Sequence, residues 1–207
     1  RIIEATDAIG FGYTEIGSVT GKPCAGNPRP RLWRLPKSKS LHVHYGLAND
    51  GAAAVAARIR ARPHRIPVGV SVAKTNDPST VERTAGIADY LAAIRASMDV
   101  ASYLTINISC PNAFGGEPFT TPEALDDLLA AVDALAPQRP VFLKMPSDLT
   151  EEAFDALVDI AAAYRVVGLI IGNLTKDRKN PKLVGHELLH APSCGGFSGK
   201  PLVERVN

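Results

Sequence analysis

Cysteine is scarce in this chain of 207 residues: Cys24, Cys110 and Cys194 form no CxxC pair and leave one thiol over from any pairing. That pattern argues against a secreted disulfide framework and fits a reducing interior. Charge of one sign is lacking too. The formal net charge is +2, with no Lys/Arg run and no aromatic-interleaved basic stripe, so no nucleic-acid surface is expected. No apolar stretch approaches the ~20 residues of a membrane span, and Arg1-Ile2-Ile3-Glu4 does not read as a signal peptide. A cytoplasmic protein is the expectation. What is present is a globular composition, 45% hydrophobic and 21% charged, enough to bury a core.

Short apolar strands alternate with helical patterns along the chain. Ile2 to Ile9 has helical spacing, and Tyr13 to Val19 reads as the first strand. A Pro- and Gly-rich loop follows through Pro36, then an Ala-rich helix from Gly51 to Ala61. Pro67 to Val72 is the second strand, Val81 to Ser97 a helix, and Tyr103 to Ile108 the third strand. Thr121 caps a helix with Pro122 at its first position and Leu125, Leu128, Leu129, Val132 and Leu135 on one face. Val141 to Lys144 is the fourth strand. Thr150, with Glu151 and Glu152, starts a helix that turns Phe154, Leu157, Val158 and Ala161 inward, and Val166 to Ile171 is the fifth strand.

Strands that are apolar on both faces and separated by helices predict an α/β protein with a parallel sheet, doubly wound or closed as a (β/α)8 barrel. A doubly wound dinucleotide fold needs a GxGxxG turn after its first strand, and none occurs. Polar residues stand instead at the C-terminal ends of successive strands: Ser18, Ser71, Asn107 with Cys110, Lys144, and Asn173. A TIM barrel builds its site in that way, around one rim. Such a barrel has eight strands in ~250 residues, so five predict a single partial barrel domain over 1–207, truncated at both ends.

The richest cluster is Thr105-Ile106-Asn107-Ile108-Ser109-Cys110-Pro111-Asn112, a buried strand running into polar groups. The carboxamides of Asn107 and Asn112 offer donors and acceptors to a planar, carbonyl-bearing ring. The thiol between them can take a proton from carbon if it ionises near working pH. A buried Cys alone is ordinarily a small core residue, and Cys24 and Cys194 are read as non-functional. Lys144 by spacing alone is a solvated strand-end lysine, and Asn173 by itself a loop residue. His186-Glu187-Leu188-Leu189-His190 has the HExxH spacing of a zinc metallopeptidase. Gly185 and Pro192 confine it to little more than a turn, and His42 and His44 read as loop residues, so no metal is expected.

Four ordered segments carry a resemblance: Glu15 to Thr20 (EIGSVT), Gly26 to Leu32 (GNPRPRL), Asn107 to Asn112 (NISCPN), and Gly195 to Leu202 (GGFSGKPL). Together they are similar to the dihydroorotate dehydrogenase family, most closely its quinone-dependent branch. The resemblance implies an FMN barrel that oxidises dihydroorotate to orotate in pyrimidine synthesis. By position it implies Cys110 as the base, where the quinone-dependent branch usually has serine and the soluble branch cysteine. It places Asn107, Asn112 and Asn173 on the substrate, and Ser18, Ser71, Asn107, Lys144, Gly172 and Gly199 on FMN. It implies a second electron acceptor, with quinone one candidate, and peripheral attachment to the inner membrane through a segment upstream of Arg1. Three departures thin the expected contacts: Val43 and Ser71 stand where asparagine is usual, and Leu174 where threonine is usual. A catalytically silent barrel that binds a ligand or partner is the alternative.

Overall fold

The computed structural model describes residues 2–110 and 115–203, apart from the side chain of His190. Helix α1 (Ile2–Ile9) leads into β1 (Thr14–Val19), then β2 (Leu32–Leu35), β3 (Ser40–Val43) and α2 (Ala52–Arg60). There follow β4 (Val68–Val72), α3 (Arg83–Ser97), β5 (Tyr103–Asn107), α4 (Pro122–Ala134), β6 (Val141–Met145), α5 (Glu151–Ala162), β7 (Val166–Ile171) and β8 (Gly196–Phe197). The five expected strands each lie within one residue of their expected ends. They form one parallel sheet in the order β1-β4-β5-β6-β7, as a barrel wall requires.

Helices α2, α3, α4 and α5 pack each against the next along one face of that sheet. Between the layers lie Val70, Leu104, Ile106 and Leu143 from strands and Ile94, Leu125, Leu128, Leu129 and Leu157 from helices, all essentially inaccessible. Burial of these side chains supplies the main driving force for the layer packing. Caps set the helix starts: the Thr121 hydroxyl accepts from the Ala124 N–H at 3.4 Å, and that of Thr150 from the Ala153 N–H at 3.2 Å. Thr150→Ala is expected to lower stability by about 1 kcal/mol, read as a shift of the urea midpoint at unchanged slope.

On the other face Tyr103 stands edge-on between Tyr13 and Phe142, with ring centroids 6.2 and 5.5 Å away. Gly69 is required beneath it, because a Cβ there would collide with the Tyr103 ring. Strands β1 and β7 depart from the expectation of apolar burial on both faces. They end the sheet, and Val167 of β7 is 64% exposed.

The segment through Pro36 is not all loop. Residues of β2 pair antiparallel with β3, and His42 and Val43 of β3 pair with β8, giving a second sheet of three short strands. His42 therefore corrects the loop reading: it lies inside β3, fully buried, with Trp33 and Phe197 at 5.2 and 4.8 Å. Burial first, and then the Arg178 charge, push its pKa below the ordinary histidine value. This small sheet covers the rim where the parallel strands end.

Candidate active site

The rim residues converge. Ser18, Asn107, Cys110, Lys144 and Asn173 line one cleft of about 290 Å³, roofed by Val43, Tyr45 and Leu47. Parallel register brings them to a common level, with Asn107 opposite Lys144 and Lys144 opposite Ile170. Ser71 joins from β4, its hydroxyl 2.7 Å from that of Ser18.

The amides are held rather than loose. Asn107 donates through Nδ2 to Ser18 Oγ at 2.8 Å, while its Oδ1 accepts from the Ser109 N–H at 3.0 Å and the Ser109 hydroxyl at 2.8 Å. Asn173 donates through Nδ2 to the Ser109 carbonyl at 2.6 Å, and its Oδ1 accepts from the Leu174 N–H at 2.9 Å. The Asn173 backbone is clamped on both sides by the Ser147 hydroxyl, at 2.9 and 2.6 Å. Ser109, fully buried, thus fixes both carboxamides at once, a preorganised polar network in a low-dielectric setting. Lys144 and Cys110 are half-buried and face the same cleft.

Other expected positions fall elsewhere. Gly172 follows β7 directly, and Gly199, at φ +75°, lies where a Cβ would meet the Lys39 carbonyl and the Ser40 backbone beside the small sheet. Pro111 and Asn112 lie outside the described residues. Val43 and Leu174 are in the cleft lining and bring carbon where polar groups are usual in the resemblance.

Sequence reasoning misses the layer behind Cys110. Lys74 is buried just past β4, and Tyr90 of α3 donates its hydroxyl to the Asn107 carbonyl at 2.8 Å. Burial raises the Tyr90 phenol pKa, so it stays a donor. Asp89 accepts from the Thr75 N–H at 2.7 Å, the Thr75 hydroxyl at 2.7 Å and the Gly21 N–H at 3.3 Å. Lys74 stands at a strand's C-terminal end like Lys144; that same rule could have found it.

In the HExxH segment, Gly185–His190 forms a short 3-10 turn. The Glu187 carboxylate accepts from the Lys37 N–H at 3.0 Å, the Ser38 N–H at 2.9 Å and the Ser38 hydroxyl at 2.6 Å. It clamps the β2–β3 turn, and the His190 side chain lies outside the described residues. Burial opposes the Glu187 charge, but these donors together outweigh it and its pKa falls below the usual carboxylate value. A depressed native pKa stabilises above the unfolded pKa, and that contribution is lost as pH falls through the native one. Amide hydrogen exchange at Lys37, Ser38 and Val184, corrected for intrinsic rates, is therefore expected to quicken in acid, and Glu187→Gln should remove that pH dependence.

Parallel strands with a polar cleft at their C-terminal rim define an α/β-barrel type of protein, with amides, a thiol and a lysine lining that cleft. A family model, "Dihydroorotate dehydrogenase", matches residues 2–206, and the chain belongs to that family, with its flavoenzyme oxidoreductase fold. Its relatives include the dihydroorotate dehydrogenase (quinone) of Rhodopseudomonas palustris, 43% identical over 96% of this chain and 56% of that protein. That of Thermobifida fusca is 38% identical over 100% of this chain and 56% of that protein. The crystal structure of ligand-free type DHODH from Eimeria tenella matches with a TM-score of 0.80 at 26% identity, covering 93% of this chain and 58% of that one. The chain spans a little over half the length of these relatives. Among the described residues no helix is long and apolar enough to cross a membrane.

Proposed function

We propose that this chain carries the reacting side of an FMN-dependent dihydroorotate dehydrogenase, within one barrel domain. The observation that carries the reading is the convergence of Ser18, Asn107, Cys110, Lys144 and Asn173 on one cleft. Hydroxyls, a held carboxamide and a cation match the carbonyl- and nitrogen-rich edge of a flavin ring, so the donor set fits FMN. Ser18, Ser71, Asn107 and Lys144 would hold that edge, with Gly172 and Gly199 completing the cofactor contacts.

FMN, when bound, supplies the acceptor for the hydride from C6 of dihydroorotate. Cys110 Sγ takes the C5 proton, leaving the double bond of orotate. Asn107, Asn112 and Asn173 orient the substrate ring, and the network through Ser109 fixes Asn107 and Asn173 before substrate arrives. The Lys144 ammonium favours negative charge developing at the cleft. The relatives' names support quinone as the acceptor that reoxidises the enzyme.

Purified full-length protein is expected to carry a flavin spectrum and to oxidise dihydroorotate with a quinone or dye. A colourless, inactive protein that cannot be reconstituted with FMN would count against the reading. Val43 and Leu174 in the lining favour a second one, a silent homologue that binds a different ligand. Full flavin occupancy with equal, negligible turnover in wild type and Cys110→Ala would select it.

A further inference from the structure

Lys74 is only 3% exposed, and so deep a lysine keeps its proton only among accepting or negative groups. Its ammonium donates to the Thr80 hydroxyl at 3.2 Å, and that hydroxyl donates onward to the Thr75 carbonyl at 2.7 Å. Lys74, Tyr90, Asn107 and Cys110 wall one small cavity of about 10 Å³. Lys74 and Tyr90 on this wall are themselves buried, so charge there is screened less than at the surface.

The ionisable groups around this cavity come from several elements. Past β4 stand Lys74 and the exposed Asp77, which caps the turn at Pro78–Thr80 through the Ser79 N–H. Helix α3 brings Tyr90, held as a donor on Asn107, and Asp89, already engaged by Thr75 and Gly21. Strand β6 brings Lys144 on the outer side of Cys110. Burial lowers the Lys74 pKa, while Asp89, then Cys110, then Asp77 favour its charge. That interaction is mutual: a thiolate that favours the ammonium is itself favoured by it to the same degree.

We propose that the Lys74 ammonium holds Cys110 in its thiolate form across this cavity. Lys74 is thus a positioning residue, acting through Cys110, and the inference deepens the assignment of Cys110 as base. A free cysteine ionises near 8.5 and is mostly thiol at neutral pH; a serine base at the same place would face a different task. A fixed cation behind the sulfur gives this cysteine a thiolate without needing the substrate.

Alkylation of the purified full-length protein by iodoacetamide reads the thiolate without turnover. Mass spectrometry of the Cys110 peptide separates it from Cys24 and Cys194. The Cys110 rate is expected to rise with a pH midpoint below that of free cysteine. In Lys74→Met the midpoint should move up by about a unit or more, with the rate at pH 7 falling about tenfold. Tyr90→Phe, which changes packing but no charge, should leave the midpoint in place. A wild-type midpoint at or above about 8.5 overturns the proposal whether or not the variants fold. So does a Tyr90→Phe shift as large as that of Lys74→Met. A low midpoint that rises in Lys74→Met, without any dihydroorotate oxidation, upholds the Lys74–Cys110 pairing and fails the proposed reaction. Oxidation with an unshifted midpoint does the reverse.

Discussion

Cys110→Ala is expected to lower kcat for dihydroorotate oxidation by about 10²- to 10⁴-fold, the usual contribution of a positioned general base, while flavin content stays at the wild-type level. The Asn107–Ser109–Asn173 network runs through Asn and Ser groups, and it is expected to survive truncation of Cys110. Loss of rate would consequently report the missing proton acceptor and not a collapsed cleft. Single-turnover kinetics of substrate oxidation separate this step from reoxidation by the second acceptor. Cys110→Ser should regain part of the rate, most at high pH, because a hydroxyl ionises far less readily than a thiol. Wild-type kcat in Cys110→Ala would remove the thiol from the reaction.

Asp89→Ala is expected to cost about 3 to 5 kcal/mol, the largest loss anticipated outside the hydrophobic layer. One carboxylate, 6% exposed, collects the Thr75 N–H, the Thr75 hydroxyl and the Gly21 N–H. Those donors belong to the turns after β4 and β1, and Asp89 itself to α3, so its removal releases three elements and leaves buried N–H groups unpaired. Asp89→Asn should cost less, since its amide oxygen still accepts. Urea unfolding at constant slope measures both, and Asp89→Ala within 1 kcal/mol of wild type would show that the triad is incidental.

The parallel sheet is legible in the sequence because its central strands are β-branched and doubly buried. The Val-Gly-Val-Ser-Val of β4 has no exposed position, and such a run between helical patterns has few other readings. Rim residues follow by the same logic, and Ser18, Asn107, Cys110, Lys144 and Asn173 do share a cleft. The small antiparallel sheet is not legible. Its strands β2 and β3 are four residues long, between Pro30 and Pro36 and beyond, and their partner β8 is two residues far downstream. Strands that short carry no period, so His42 looks like a loop residue although it is wholly buried. Lys74, just past β4, is within reach of the strand-end rule that marks Lys144, but Tyr90 is hidden for another reason. Nothing local marks it, and only the approach of α3 to the ends of β4 and β5 brings it behind Cys110. Glu187 shows the converse: HExxH spacing suggests chemistry, while the fold uses the carboxylate to pin a turn.

Anaerobic addition of dihydroorotate to the purified full-length protein tests the central claim most directly, because it needs no second acceptor. The visible flavin absorbance is expected to bleach with stoichiometric formation of orotate, and to bleach at least 10²-fold more slowly in Cys110→Ala. A flavin spectrum that dihydroorotate leaves unchanged, in a protein that dithionite readily reduces, would contradict the account.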